Sequence, residues 1–203
     1  KKNKNIYFLS ADFGAPSLDI FRKKLPKQFV HTGISEQNMI DIAIGLSLKK
    51  NIVINYAMAP FILSRAWEQH KIGSIMKLPM INLIPGVGYG YANAGPTHYS
   101  NEDLGLANLI VGSNIYTAAD SKTASFIAKN ILKKISLSFV RLDREKSADI
   151  DYSFKLNDFK NGYRVIFNGN KLCIISHGHL LNKIWNILKN NKYFRENITL
   201  IDL

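Results

Sequence analysis

Short apolar runs alternate along this chain with longer stretches of helical period, and that alternation confines it to an α/β fold, a parallel sheet flanked by helices. Ile6 to Leu9 reads as the first strand, and Ser17 to Lys24 as a short helix leading to Phe29-Val30-His31. Gln37 to Lys50 carries Met39, Ile40, Ile42, Ala43, Ile44, Leu46 and Leu48. Its apolar residues lie on nearly every face, which predicts a central, buried helix ending at the basic pair Lys49-Lys50. Asn51 to Tyr56 reads as a strand, Phe61 to Met76 as one helix and Pro79 to Pro85 as another strand. Ile115 to Thr117 follows as a strand, Asp120 as the cap of a helix to Lys134, and Leu137 to Leu142 as the strand that closes the first unit.

A length of 203 residues suits one large or two small α/β units. The polar stretch Asp143 to Gly162 has no clear period and reads as a linker. The organisation expected is therefore a first domain over 1–145, a linker over 146–162 and the opening of a second α/β domain over 163–203. In the latter, Tyr163 to Phe167 and Lys171 to Ser176 flank Asn168-Gly169-Asn170 and read as a hairpin. Leu180 to Asn190 follows as a helix and Asn197 to Leu203 as a strand. The chain starts without Met and stops directly after an apolar run, so it reads as a piece of something longer.

Twenty-seven basic residues against fifteen acidic ones leave a net charge of +12, which raises nucleic acid as a partner. The lysine pairs are scattered, each at a segment end, and twenty asparagines accompany them. A Lys/Asn-rich compositional habit explains that pattern without a nucleic-acid partner. The single cysteine, Cys173, sits inside Leu172-Cys173-Ile174-Ile175 and is expected to be a buried core thiol. No apolar run approaches the ~20 residues of a membrane helix, and a cytoplasmic setting is the expectation.

The chemistry-bearing candidates are few. The segment from Gly86 to His98 holds four glycines and no periodicity, as a functional loop does. Ser100 reads as the cap of a helix whose first turn holds Glu102 and Asp103. No Walker loop, HExxH, paired-cysteine motif or GxSxG elbow is present in the sequence. Glu36 follows a glycine turn at the head of the apolar helix, where a carboxylate is drawn out of water and needs a hydrogen-bond partner. Taken alone, it reads first as a glutamate at a helix dipole. His177 and His179 flank Gly178 without a third metal ligand nearby and read as loop histidines at the domain join.

Leu9-Ser10-Ala11-Asp12, Gly33-Ile34-Ser35-Glu36-Gln37, Phe61 with Arg65-Ala66-Trp67-Glu68-Gln69, Gly95-Pro96-Thr97-His98, Ala119-Asp120, Arg141-Leu142-Asp143-Arg144 and Cys173 to His179 occur in an order that resembles the transketolase family. The resemblance covers its pyrimidine-binding domain and the start of its C-terminal domain, and implies the thiamine-diphosphate-binding fold. It implies that Glu36 hydrogen-bonds the N1′ atom of the cofactor's aminopyrimidine and thereby controls the tautomer that activates it. It places Phe61 or its neighbour Ile62 against the pyrimidine, with Arg65 nearby, and Asp12 in the cofactor pocket. His98 would serve in the substrate cleft as a proton-transfer group, and Arg144 as a substrate anchor. Without the resemblance, Phe61 reads as core, Asp12 as a turn residue, and His98 and Arg144 as surface groups.

The family's Gly-Asp-Gly motif for the diphosphate and its metal is missing from the sequence. The resemblance therefore implies the C-terminal half of a split transketolase-like enzyme, using thiamine diphosphate and Mg²⁺ held mainly by an N-terminal, diphosphate-binding partner subunit or by a missing N-terminal half. Self-association as a dimer or heterotetramer and small-molecule sugar substrates follow, with no nucleic-acid or membrane partner. Ala94 and Gly86 stand where sugar-phosphate transketolases carry an aspartate and a histidine, which points to a specialised ketol transfer. The rivals are a 2-oxo acid dehydrogenase β-type subunit, a deoxyxylulose-phosphate-synthase-like enzyme and, from another class, a non-catalytic basic binding protein.

Overall fold

A computed structural model of the chain describes residues 3–11, 15–152 and 155–203. The elements run β1 (Ile6–Ser10), α1 (Asp19–Lys24), β2 (Phe29–His31), α2 (Glu36–Leu48), β3 (Ile52–Tyr56), α3 (Ala59–Arg65), α4 (Trp67–Ile75) and β4 (Met80–Pro85). After a long loop come α5 (Asp103–Asn108), β5 (Asn114–Thr117), α6 (Ser121–Ile131) and β6 (Ser138–Leu142). The remainder forms α7 (Leu156–Asn161), β7 (Arg164–Phe167), β8 (Leu172–Ser176), α8 (Gly178–Leu188), α9 (Lys192–Asn197) and β9 (Ile198–Asp202). Two compact units result, one of residues 1–116 and 134–144, the other of 117–133 and 145–203.

The first unit is built on a six-stranded sheet of order β2-β1-β3-β4-β6-β5, parallel in every pairing from β2 to β6. On one face Leu9, Val53, Met80 and Phe139 of the strands pack with Met39, Ile40 and Ala43 of α2 and with Ile62 and Leu63 of α3. On the other, Phe8 stacks on Phe21 and Phe29 at ring-centroid distances of 5.4 and 5.6 Å, with Leu18 completing the cluster. Both faces are thus covered, as a parallel sheet requires. Asn55 and Asn82 are fully buried in register on neighbouring strands, and Asn55 Nδ2 donates to Asn82 Oδ1 at 2.9 Å. That bond satisfies the Asn55 amide N–H and the Asn82 oxygen, which would otherwise oppose burial.

Two expectations for this unit change. The α2 helix is not buried all round: Met39, Ile40, Ala43 and Ser47 form one buried stripe, while Gly45 and Leu48 are exposed. A helix lying on one face of a sheet can bury only the stripe that touches it. The helix expected over Phe61 to Met76 is two helices, broken at Ala66 (φ −111°, ψ 23°), so that Arg65 ends α3 and Trp67 begins α4. Trp67 Nε1 then donates to the Leu106 carbonyl at 2.9 Å, tying α4 to the end of α5.

In the second unit Asp120 caps α6, accepting from the Thr123 backbone N–H at 2.7 Å, and its other carboxylate oxygen accepts from the N–H of the fully buried Ile150. Leu181, Trp185 and Leu188 of α8 pack with Ile150, Ile198 and Leu200. The expected hairpin is replaced by the order β7-β9-β8: β9 lies between the two strands, antiparallel to β7 and parallel to β8. The exchange brings the backbone of β9 against Gly169, where a Cβ would fall 2.2 Å from the Ile198 backbone nitrogen. The turn is thus pressed against the start of β9, and Thr199 Oγ1 donates to the Gly169 carbonyl at 2.8 Å. Cys173 is exposed rather than a core thiol, because Ile174 faces the core and Cys173 and Ile175 point to the opposite face of β8. His177 and His179 are not loop residues either: His177 is the N-cap of α8 and His179 lies in its first turn. There the His179 ring contacts Ser147 Oγ at 2.9 Å and Glu145 Oε2 at 2.8 Å.

Three buried polar residues of the first unit make its stability sensitive to pH and to substitution. His70 on α4 is fully buried, edge-on to Phe139 at 5.0 Å, and burial holds its imidazole far below the usual 6.5, at about 4. The unfolded chain binds this proton at higher pH than the folded one. The stability it carries is therefore complete above pH 6.5 and lost as the pH falls from 6.5 towards 4. Urea unfolding of wild type and His70→Leu across that window should show wild type losing about 3 kcal/mol more than the variant. Arg141 on β6 holds Asp103 of α5 through Nε–Oδ2 at 2.7 Å and Nη2–Oδ1 at 3.3 Å, with both side chains buried. Asp103→Ala removes the counter-charge of a buried guanidinium and should cost about 3–5 kcal/mol in the same assay, whereas Asp103→Leu combined with Arg141→Met should recover most of that loss.

Candidate active site

Open parallel sheets bind ligands in the crevice beyond the carboxyl ends of their strands. The predicted site residues follow those ends in the first unit. After β2, the turn Thr32 to Ser35 uses Gly33 at φ +73°, and Ser35 Oγ donates to the Thr32 carbonyl at 2.8 Å. Glu36 becomes the first residue of α2, with its carboxylate at the positive end of the helix and only 4% exposed.

A buried carboxylate needs a partner, and the structure supplies one from α3. Arg65 Nη1 donates to Glu36 Oε2 at 2.8 Å, and the arginine is itself about half exposed, at 47%. One turn earlier on α3, Phe61 lies under this arginine, its ring centroid 4.2 Å from the guanidinium carbon. The Phe61 ring in turn meets the imidazole of His98 edge-on at 5.1 Å. Glu36, the Phe61–Arg65 turn of α3 and His98, three segments far apart in sequence, therefore form one continuous run of contacts. Ile62 points the other way, fully buried in the core beside Leu63. Asp12 lies outside the described residues.

The loop after β4 delivers His98. Two short 3-10 turns, Ala92–Ala94 and Pro96–His98, are separated by Gly95 at φ +87°, which no side chain adopts without strain. His98 is half-buried, and its Nδ1 lies 3.0 Å from Thr97 Oγ1. Ser100 does not cap α5: its backbone pairs with that of Gly88 in a short bridge, while Glu102 occupies the cap position. The bridge, rather than a side-chain cap, closes the loop. At Gly86 a Cβ would fall 2.1 Å from the Tyr91 ring, so tyrosine fills the space over that glycine.

Arg144, two residues beyond β6, lies over the same Tyr91 ring at 4.8 Å, and its Nη1 donates to Asn93 Oδ1 at 3.2 Å. Its exposed guanidinium is thereby presented from the glycine loop. Tyr91 and Asn93 were not singled out by sequence reasoning. The available signal was their place between Gly90 and Gly95, in the loop that also carries His98. Among the described residues no group of three or more His, Cys, Asp or Glu is placed to hold a metal ion, and no helix is long and apolar enough to cross a membrane.

The chemistry on offer is a buried carboxylate that accepts an N–H, a guanidinium joining it to an aromatic face, and an imidazole and a second guanidinium on the loops that follow. Comparison with known proteins places this arrangement in context. One of the subunits of the apulose-4-phosphate transketolase from Phocaeicola vulgatus is 28% identical over 186 residues, covering 88% of this chain and 58% of that protein. A putative transketolase C-terminal section from Methanocaldococcus jannaschii is 27% identical over 183 residues, covering 88% of this chain and 57% of that protein. The chain thus spans a little over half the length of these relatives. In fold it is similar to a split-gene transketolase solved as an inactive β4 tetramer, with a TM-score of 0.82 and 23% identity over 99% of this chain and 65% of that one. Residues 1–148 match the pyrimidine binding domain of transketolase, and the chain belongs to the transketolase family through that domain.

Proposed function

We propose that this chain is the pyrimidine-binding part of a split, thiamine-diphosphate-dependent transketolase-like enzyme that moves a two-carbon ketol unit between sugars or sugar derivatives. The observation that carries the reading is the buried Glu36 carboxylate at the head of α2, with the Phe61 face and the His98 ring in sequence beside it. A carboxylate so enclosed exists to satisfy a donor, and a flat aromatic wall next to it suits an aminopyrimidine. The cofactor, when bound, supplies the acidic thiazolium carbon and the electron sink for breaking a carbon–carbon bond.

In this reading Glu36 holds a proton at the pyrimidine ring nitrogen and so sets its tautomer. His98 passes protons to and from substrate oxygens, and Arg144 anchors the far end of the substrate from its Tyr91–Asn93 platform. Asp12 would line the remaining pocket, with Ile62 backing the Phe61 side from the core. A partner subunit with a diphosphate-binding domain would provide the Mg²⁺ site and complete the cleft. Two curated relatives are named as subunits or sections of transketolases, which supports a two-chain enzyme over the 2-oxo acid dehydrogenase and deoxyxylulose-phosphate-synthase readings. The Tyr91 ring over Gly86 and the small Ala94 side chain give the rim a composition suited to a specialised sugar rather than to a housekeeping one.

Substitution in the complex with the partner subunit tests the assignment. Glu36→Ala or Glu36→Gln should abolish or severely lower turnover with every donor and acceptor, because cofactor activation precedes all of them. His98→Ala should slow transfer by about 10²–10⁴ in a substrate-dependent way. C2-proton exchange of bound thiamine diphosphate, followed separately from ketol transfer, distinguishes the two. Exchange at the wild-type rate in Glu36→Ala removes Glu36 from the central role.

A further inference from the structure

We propose that Arg65 is a displaceable cap on Glu36, holding the carboxylate until a flat, N–H-donating ring takes its place. The inference rests on the reading of Glu36 given above and assigns Arg65 a gating role at that contact. Two arginine–carboxylate pairs in the first unit make the contrast. Arg141 and Asp103 are joined by two hydrogen bonds with both partners buried, a pair that opens only when the fold does. Arg65 reaches Glu36 through one N–H, leaves its other donors without a hydrogen bond among the described residues, and keeps 47% of its side chain in water. A guanidinium with five donors and one bond is incompletely engaged.

The asymmetry of burial decides what such a pair can do. Withdrawing Arg65 costs little on the arginine side, since water solvates the freed cation at once. It costs much on the glutamate side, where a 4% exposed carboxylate is left without a counter-group. The pair therefore stays closed until another donor reaches Oε2. The place from which a flat ring would donate is already defined: it must reach the Glu36 carboxylate and lie against the Phe61 face. Those are the two surfaces the Arg65 guanidinium covers, at 2.8 Å and 4.2 Å. A ring that takes both Oε2 and the Phe61 face must displace the cap. The local fold permits the exchange, because Arg65 ends α3 at the Ala66 break, four residues after Phe61, and can move into water without disturbing the helix behind it.

The test uses the full chain, with 4-amino-5-hydroxymethyl-2-methylpyrimidine as the probe. NMR follows the Glu36 side-chain carboxyl carbon and the exchange of the Arg65 guanidinium protons with water in one titration. The expected result is that the Glu36 signal shifts and Arg65 exchange accelerates together, with the same midpoint. Arg65→Met, which retains an apolar stem over Phe61, should bind the probe roughly 3- to 10-fold more tightly, as expected for removal of one competing charge-assisted bond. Arg65→Lys should fall between the two. A Glu36 shift with Arg65 still protected, or weaker binding by Arg65→Met, overturns the cap while leaving the Glu36 assignment standing. A probe that leaves the Glu36 signal unmoved in wild type and both variants overturns the cap, while the Glu36 assignment is decided separately by C2-proton exchange in the complex with the partner subunit. The wild-type exchange measurement decides the matter even if a variant folds poorly.

Discussion

Parallel pairing of the strands from β2 to β6 is the constraint on which the rest of the first unit depends. When strands run the same way, every carboxyl end opens on one edge of the sheet, and the loops that leave those ends are neighbours whatever their separation in sequence. Glu36 follows β2, Phe61 and Arg65 follow β3, His98 follows β4, and Arg144 follows β6. The site is thus a by-product of strand direction, sharpened by local devices. A positive-φ glycine turns the chain into α2, a helix break leaves Arg65 at an end, and a backbone bridge between Gly88 and Ser100 closes the loop that carries His98.

Charge is placed within this frame according to what it has to do. The Arg141–Asp103 pair is buried, doubly bonded and remote from solvent, and it holds α5 against β6 just beyond the His98 turn. The Glu36–Arg65 pair has one end inside and one outside, a geometry suited to exchange of partners. His70 is kept neutral by burial against Phe139 and adds no charge to the core. The overall net charge of +12 contributes to none of these interactions. Buried carboxylates and the groups that answer them organise the unit, and the number of surface lysines does not.

Much of the fold was legible because it is written locally. Apolar runs of strand length, the Asp120 cap and the position of Glu36 at a helix start all depend on residues a few positions apart, and the structure has them where the pattern places them. The misreadings share a cause. Asn168-Gly169-Asn170 is a reasonable hairpin turn on local grounds, yet the space beside β7 is taken by β9, from the far end of the chain. Cys173 sits in a run apolar enough for a core, but side chains alternate across β8 and its neighbour Ile174 takes the core side. The α2 helix is apolar on several sides, and the sheet beneath it accepts only one of them.

The site divides in the same way. The sequence by itself determined the class of fold, the strand positions and most helices of the first unit, and a set of chemically capable residues, since these follow from periodicity, capping and the wording of short segments, while the break at Ala66 and the helices α7 and α9 were not read. Only the tertiary structure decided that Arg65 answers Glu36 across 29 positions, that Phe61 rather than Ile62 faces His98, and that Tyr91 fills the space over Gly86 beneath Arg144. Local patterns are set by neighbours along the chain, whose geometry the backbone itself restricts. Contacts between distant segments are set by sheet register and by competition for buried space, which no segment carries alone.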